Sequence, residues 1–195
     1  MDTWVGVDYG SKQAGTTVLA FAKKGKIHFL QSKKKADADA ALHQWIKKLM
    51  PGQVFIDAPL SLPLVYREAS KDADFFYRRA DRELKAMSPM FLGGLTARAM
   101  RLVARVEADL PVVFRETYPG YLAKLLDLPK MRYKKEKVHL PELTNTLCSS
   151  YQLQLEKPPA NWHQFDALLA YLSGLRYREG AHQTFGDPEE GQIIV

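Results

Sequence analysis

The sequence predicts an α/β fold, a mixed sheet of five strands flanked by helices, in one domain spanning residues 1–195. Three observations lead there. Three short β-branched or apolar runs lie close together near the start, joined by turn residues, as antiparallel hairpins require. A helical pattern then leads into a fourth run, Val54-Phe55-Ile56-Asp57, as a crossover to a parallel strand would. A fifth run, Val112 to Thr117, follows a long helical stretch.

The first strand is read over Thr3 to Asp8, where Val5 and Val7 alternate with smaller or polar neighbours before the turn Tyr9-Gly10-Ser11-Lys12. Thr16 to Phe21 and Ile27 to Leu30 flank the turn Lys24-Gly25-Lys26 and give strands two and three. Ala41, Leu42, Trp45, Ile46 and Leu49 recur at helical spacing between Ala38 and Met50, and Pro51-Gly52 stops the pattern. Strand four ends at Asp57 because Pro59 follows and cannot donate to a central ladder. Residues 64–109 are rich in Arg, Ala, Met and Leu, broken at Pro89, and read as a helical insertion of two or three helices. Tyr118-Pro119-Gly120 turns strand five into a short helix, and the basic run Lys130 to Lys137 reads as a loop. A further helix is expected from Pro141 to about Gln154, then Pro158-Pro159, then a last helix carrying Phe165, Leu168, Leu169 and Leu172 on its core face. The tail, about 180–195, holds a Gly-Asp-Pro turn and ends in an apolar run that suits an edge strand.

Composition sets outer limits on function. Hydrophobic residues make up 46% of the chain, enough for a buried core, and no apolar run is long enough to span a bilayer. No membrane partner is expected. The opening Met1-Asp2-Thr3-Trp4 lacks the basic and apolar regions of a signal peptide, so a cytoplasmic location is expected. Cys148 is the only cysteine, which excludes an internal disulfide and a multi-cysteine zinc site. A formal net charge of +6 suits a polyanionic partner such as nucleic acid.

The chemistry lies in three aspartates. If the helix after strand three makes a right-handed crossover, strands one and four are parallel neighbours, and Asp8 and Asp57 share one end of the sheet. Ligands of open α/β sheets bind at such ends. Asp166, in the first turn of the last helix, supplies a third carboxylate if that turn faces the sheet ends. Carboxylates crowded into a cleft repel unless a cation neutralises them, and an all-oxygen donor set favours Mg²⁺ or Mn²⁺ over zinc. Singly, each aspartate is better explained as a turn or helix cap. Together they point to a metal-binding site.

Four segments then acquire a family likeness: Val5-Gly6-Val7-Asp8, Ile56-Asp57-Ala58-Pro59, Glu116-Thr117-Tyr118-Pro119 and Phe165-Asp166-Ala167-Leu168-Leu169-Ala170. With Arg78-Arg79-Ala80-Asp81-Arg82-Glu83-Leu84 and Gly186-Asp187-Pro188-Glu189-Glu190-Gly191, the chain resembles the predicted nuclease family known as domain of unknown function 429. The resemblance implies a ribonuclease H-like fold, with Asp8, Asp57 and Asp166 as metal-binding and catalytic carboxylates and Glu116 as a fourth candidate, ligand or base. The implied activity is hydrolysis of phosphodiesters in nucleic acid. In a two-metal scheme Asp8 would bridge ions about 4 Å apart, with Asp57 and Asp166 completing their shells.

Further substrate-binding candidates are Lys12, beside Gly10 at the cleft mouth, and Arg78, Arg79 and Arg98, which can grip phosphate bidentately. Each has a plainer reading as an exposed turn lysine or a helix ion pair. His163 precedes Asp166 by three residues and can carry a proton or simply cap the helix. Phe75, Phe76 and Tyr77 can stack bases, though core packing of the insertion explains them more simply. Two other readings stay open. One is a nucleotide-binding module using Gly10 to Lys12 for phosphate, and the other is an inactive ribonuclease H-like scaffold.

Overall fold

The computed structural model describes residues 3–68 and 74–195. In chain order the elements are β1 (Trp4–Asp8), β2 (Val18–Lys23), β3 (Lys26–Gln31), α1 (Ala38–Leu49), β4 (Gln53–Asp57), α2 (Arg79–Leu84), α3 (Pro89–Leu92), α4 (Gly94–Asp109), β5 (Val113–Thr117), α5 (Pro119–Leu125), α6 (Leu140–Ser150), α7 (Trp162–Arg178), β6 (Thr184–Asp187) and β7 (Gly191–Ile194). Short 3₁₀ turns occupy Leu64–Tyr66, Leu128–Met131 and Lys137–His139.

The sheet order is β3-β2-β1-β4-β5-β7-β6. β1, β2 and β3 form the antiparallel meander, whereas β4 and β5 add in parallel to β1. This mixture of a hairpin side and a parallel side is the ribonuclease H-like arrangement that the motifs imply. The sheet has seven strands where five were expected. The tail forms a hairpin, and β7 pairs parallel with β5 while β6 takes the edge. Gly186 and Gly191 make this possible, since both adopt positive φ, +91° and +125°, which a side chain would strain.

The helix expected to reach Gln154 stops at Ser150, and Gln152 turns left-handed at φ 52°. Residues beyond it leave the helix because their backbone is used elsewhere. The Gln154 carbonyl accepts from the Ile27 amide and the Glu156 amide donates back to the Ile27 carbonyl, at 2.8 and 2.9 Å. Phe75 and Phe76, read more simply as core of the insertion, are each 54% exposed, with Phe76 stacked on Phe91 at the surface. Cys148 is half-buried. Among the described residues no helix is long and apolar enough to cross a membrane.

Two apolar layers sandwich the sheet. On one face Leu42 and Ile46 of α1 and Leu102 and Val106 of α4 pack against Val5, Val7, Val54 and Ile56. On the other, α7 lies across β1 and β2, burying Phe165, Leu168, Leu169 and Leu172 with Val18 and Ala20. Glycine sets the distance of α7 from the sheet. A Cβ on Gly6 would stand 2.0 Å from the Tyr171 amide nitrogen and 2.6 Å from the Ala167 carbonyl oxygen, and a Cβ on Gly174 would strike the Trp4 ring. Trp4 completes the contact by donating its indole N–H to the Tyr171 carbonyl at 2.9 Å. Because helix backbone, and no flexible side chain, faces Gly6, the helix cannot yield locally. Gly6→Ala is therefore expected to overpack this contact and cost about 3 kcal/mol, the upper end for such insertions. The melting temperature should fall by about 6–12 °C, measurable by circular dichroism.

Candidate active site

Asp8 and Asp57 end neighbouring parallel strands and stand directly opposite one another in the register. The hydrophobic runs before them fix this placement, because Val5, Val7, Val54 and Ile56 must all face the same apolar layer. Asp166 approaches from α7. That helix begins with Asn161 as its cap, its side chain accepting from the Gln164 amide at 3.0 Å. Asp166 is thus one turn further in than the sequence reading placed it.

The three carboxylates lie within each other's fields. Burial, then Asp8, then Asp166 push the Asp57 carboxyl well above its ordinary range. Burial likewise lifts Asp166 to about 6, against the pull of Lys134. The partners differ sharply among the three. Asp166 accepts the Tyr133 hydroxyl on Oδ1 and the Lys134 ammonium on Oδ2, the latter at 2.7 Å. Asp8 meets His163 Nδ1 through Oδ2 at 2.8 Å, a bond that raises the His163 pKa. Among the described residues none donates a hydrogen bond to the Asp57 carboxylate.

Glu116 sits on β5 beside this group and is held differently. Arg78 is fully buried and donates to both Glu116 oxygens, at 2.6 and 2.7 Å, and to both Asp81 oxygens, at 2.7 and 3.1 Å. Ser61 Oγ takes a further Arg78 N–H, and the Leu60 amide donates to Glu116. Burial pushes the Glu116 carboxyl up and the guanidinium draws it back. This triad ties the insertion to β5 behind the aspartates.

The other expected contacts lie elsewhere. Arg78 has no exposed surface to offer a phosphate. Lys12 pairs with Asp37, the cap of α1, at 3.1 Å. Arg79 points outward and pairs with Glu83. Arg98 grips Asp39 with two N–H groups, donates to the Gly10 carbonyl and covers the Tyr9 ring. The Gly10 amide is spent on Thr17 Oγ1, so this turn offers phosphate neither that amide nor an unpaired Lys12. The cation beside the aspartates is instead Lys134, on Asp166, from the loop 130–137, in whose sequence exposed Arg132, Lys135 and Lys137 flank Tyr133 and Lys134. Sequence reasoning passed over Tyr133 and Lys134 because nothing in their spacing ties them to residue 166. The signal available was an aromatic residue inside a basic run.

A cavity of about 310 Å³ opens beside Asp57, walled by Tyr9, Met87, Leu95, Tyr118 and Glu116. It gives a ligand room to reach that carboxylate. No group of three or more His, Cys, Asp or Glu side chains among the described residues is gathered as a finished metal cage. Asp8 and Asp57 nevertheless fit a hard cation. Mg²⁺ is commonly held by one or two carboxylates, with water and substrate phosphate supplying the remaining oxygens. Asp57, with no donor among the described residues and the field of two other carboxylates on it, is a suitable ligand for such an ion.

Residues 6–191 match the family model described as "Protein of unknown function (DUF429)". The chain belongs to this family. No curated protein sequence matches the DUF429 protein. Among solved structures it is similar to the Thermus thermophilus RuvC structure, at 16% identity and a TM-score of 0.49. It is also similar to T. thermophilus RuvC in complex with Holliday junction substrate, at 17% identity and a TM-score of 0.48. Each likeness covers 92% of this chain and 97% of the other.

Two stability measurements probe this electrostatic arrangement. Asp57, Asp166 and His163 all have raised folded-state pKa values, so each holds its proton to higher pH when folded than when unfolded. For Asp166 the folded state is favoured below its ordinary value of 3.8, and that advantage is lost as pH rises through about 6. For His163 the advantage is complete below 6.5 and is lost above it. In chelator, the melting temperature should fall as pH rises from about 5 to 8, by about 2–4 °C for each kcal/mol lost. Asp57→Asn should raise the melting temperature at pH 8 and flatten the slope. Arg78→Met should act oppositely, since it leaves Glu116 and Asp81 buried without their cation. A loss of about 3–5 kcal/mol is expected from thermal or urea unfolding.

Proposed function

We propose that this DUF429 protein is a divalent-metal-dependent nuclease that hydrolyses phosphodiester bonds in nucleic acid. The observation that carries the reading is the opposition of Asp8 and Asp57 at the carboxyl ends of neighbouring parallel strands, with Asp166 facing them from α7. The exposed basic residues of the loop 130–137 and the formal charge of +6 suit a polyanionic substrate. Mg²⁺ or Mn²⁺ held by Asp8 and Asp57 would supply Lewis acidity and lower the pKa of a bound water.

The chain's own residues have distinct parts in this reading. Asp57 presents an acceptor that no donor among the described residues occupies. His163 orients the Asp8 carboxylate through Nδ1, and its half-exposed ring can take a proton. In the hydrolysis a water oxygen bonds to phosphorus and the phosphorus–oxygen bond to the leaving nucleoside breaks. One proton passes from the water to His163, and solvent protonates the leaving oxygen. Glu116, bound on both oxygens by Arg78, acts as a positioning residue that sets β5 and the insertion against the aspartates.

Labelled single-stranded, duplex and branched DNA and RNA, incubated with Mg²⁺ or Mn²⁺, provide the test. At least one substrate should be cut, and Asp57→Asn should lower the rate by at least about 100-fold, the upper end of what loss of an outer partner of a metal ligand costs. The variant should retain a cooperative melt. Cleavage that survives excess chelator, or that Asp57→Asn leaves unchanged, would overturn the reading.

A further inference from the structure

A pair of adjacent ions would need oxygens from all three aspartates, yet the protein already uses several of them. Both oxygens of Asp166 are taken, Oδ1 by Tyr133 and Oδ2 by Lys134. One oxygen of Asp8 is taken by His163. Among the described residues, the oxygens of this group that carry no protein donor are the other Asp8 oxygen and the two of Asp57, and these are the most open to a cation.

Lys134 is not a surface lysine that happens to lie nearby. Its neighbour Tyr133 is wedged against Trp162 and Phe165 of α7, with ring centroids 5.7 and 5.9 Å apart, and places its hydroxyl on Asp166. The Lys134 ammonium lies 5.3 Å from the centre of that ring. Asp127, Arg132 and Lys134 adopt left-handed φ values of 55°, 65° and 56°, which residues with side chains rarely do. The loop is thus bent to deliver a fixed positive charge to Asp166. That side chain remains 50% exposed, so the same ammonium can also meet an incoming phosphate.

Charge balance favours the same arrangement. With the His163 imidazole uncharged, three carboxylates, one ammonium and one divalent cation are together neutral. Two divalent ions beside the ammonium would leave two excess positive charges. We propose that the site binds a single divalent ion, between Asp8 and Asp57, and that the Lys134 ammonium permanently fills the second cation position, on Asp166. The inference rests on the metal-dependent reading above and assigns Lys134 the contact with the scissile phosphate that a second ion would otherwise make.

Mn²⁺ titration of the full chain, followed by calorimetry and by electron paramagnetic resonance, tests this without any substrate. Wild type should bind one Mn²⁺ per chain with the spectrum of an isolated ion. Lys134→Met, which frees Asp166 Oδ2 and keeps most of the side-chain length, should bind two and show coupling between them. Lys134→Arg keeps the charge and should still bind one. Asp166→Asn should also retain its one ion. Two coupled ions in wild type would overturn the inference while leaving a metal-dependent nuclease intact, as would a single ion in Lys134→Met or loss of all Mn²⁺ in Asp166→Asn. Wild type that binds no Mn²⁺ would remove both the inference and the metal-dependent reading.

Discussion

The contact between α7 and β1 governs the rest of the molecule. Gly6 has no side chain, so helix backbone meets strand backbone there, and the spacing is set by hard atoms. From this the depth of Phe165, Leu168 and Leu169 in the core follows, and so does the height of Asp166 above the ends of β1 and β4. A helix held by side chains alone could slide or tilt by an ångström as they repack. One held by backbone against backbone cannot, and the ion-binding role proposed for the carboxylates calls for that rigidity.

Two sets of buried charge stand side by side and are treated in opposite ways. Glu116, Arg78 and Asp81 satisfy one another almost completely, with Ser61 and the Leu60 amide filling the remaining positions. That set is structural and joins β5 to the insertion. The aspartate group is left incomplete. Its members repel, and among the described residues Asp166 has a donor on both oxygens, Asp8 has one partner and Asp57 has none. Stability is sacrificed at that one place, and the neighbouring triad shows that the fold can neutralise carboxylates where nothing else is required of them.

Much of this was legible in the sequence because it depends on local periodicity. Alternation at Val5 and Val7 and the break at Pro59 placed Asp8 and Asp57 at strand ends, and the meander followed from short turns. Contacts between distant segments were not legible. Arg78 reads as a helix-surface residue until β5 and the insertion close around it, and only then does its guanidinium vanish from the surface. The tail gave a single apolar run, whereas Gly186 and Gly191 fold it into two strands. Lys134 was hidden in a run of lysines whose role depends on where Tyr133 anchors, on a helix about thirty residues away.

The borders of the sheet bear on how the molecule behaves at high concentration. An open border strand is a template onto which another chain can add, and fibrils grow in that way. Here one border, β3, is engaged at Ile27 by the segment 154–156, with Lys26 and Glu156 ion-paired alongside. The opposite border, β6, is only four residues long, and the Gly186 amide on it is taken by Glu83 of α2. Both borders are therefore partly occupied by the chain itself, and a seven-stranded sheet with a largely apolar interior gains protection against growing sideways into aggregates.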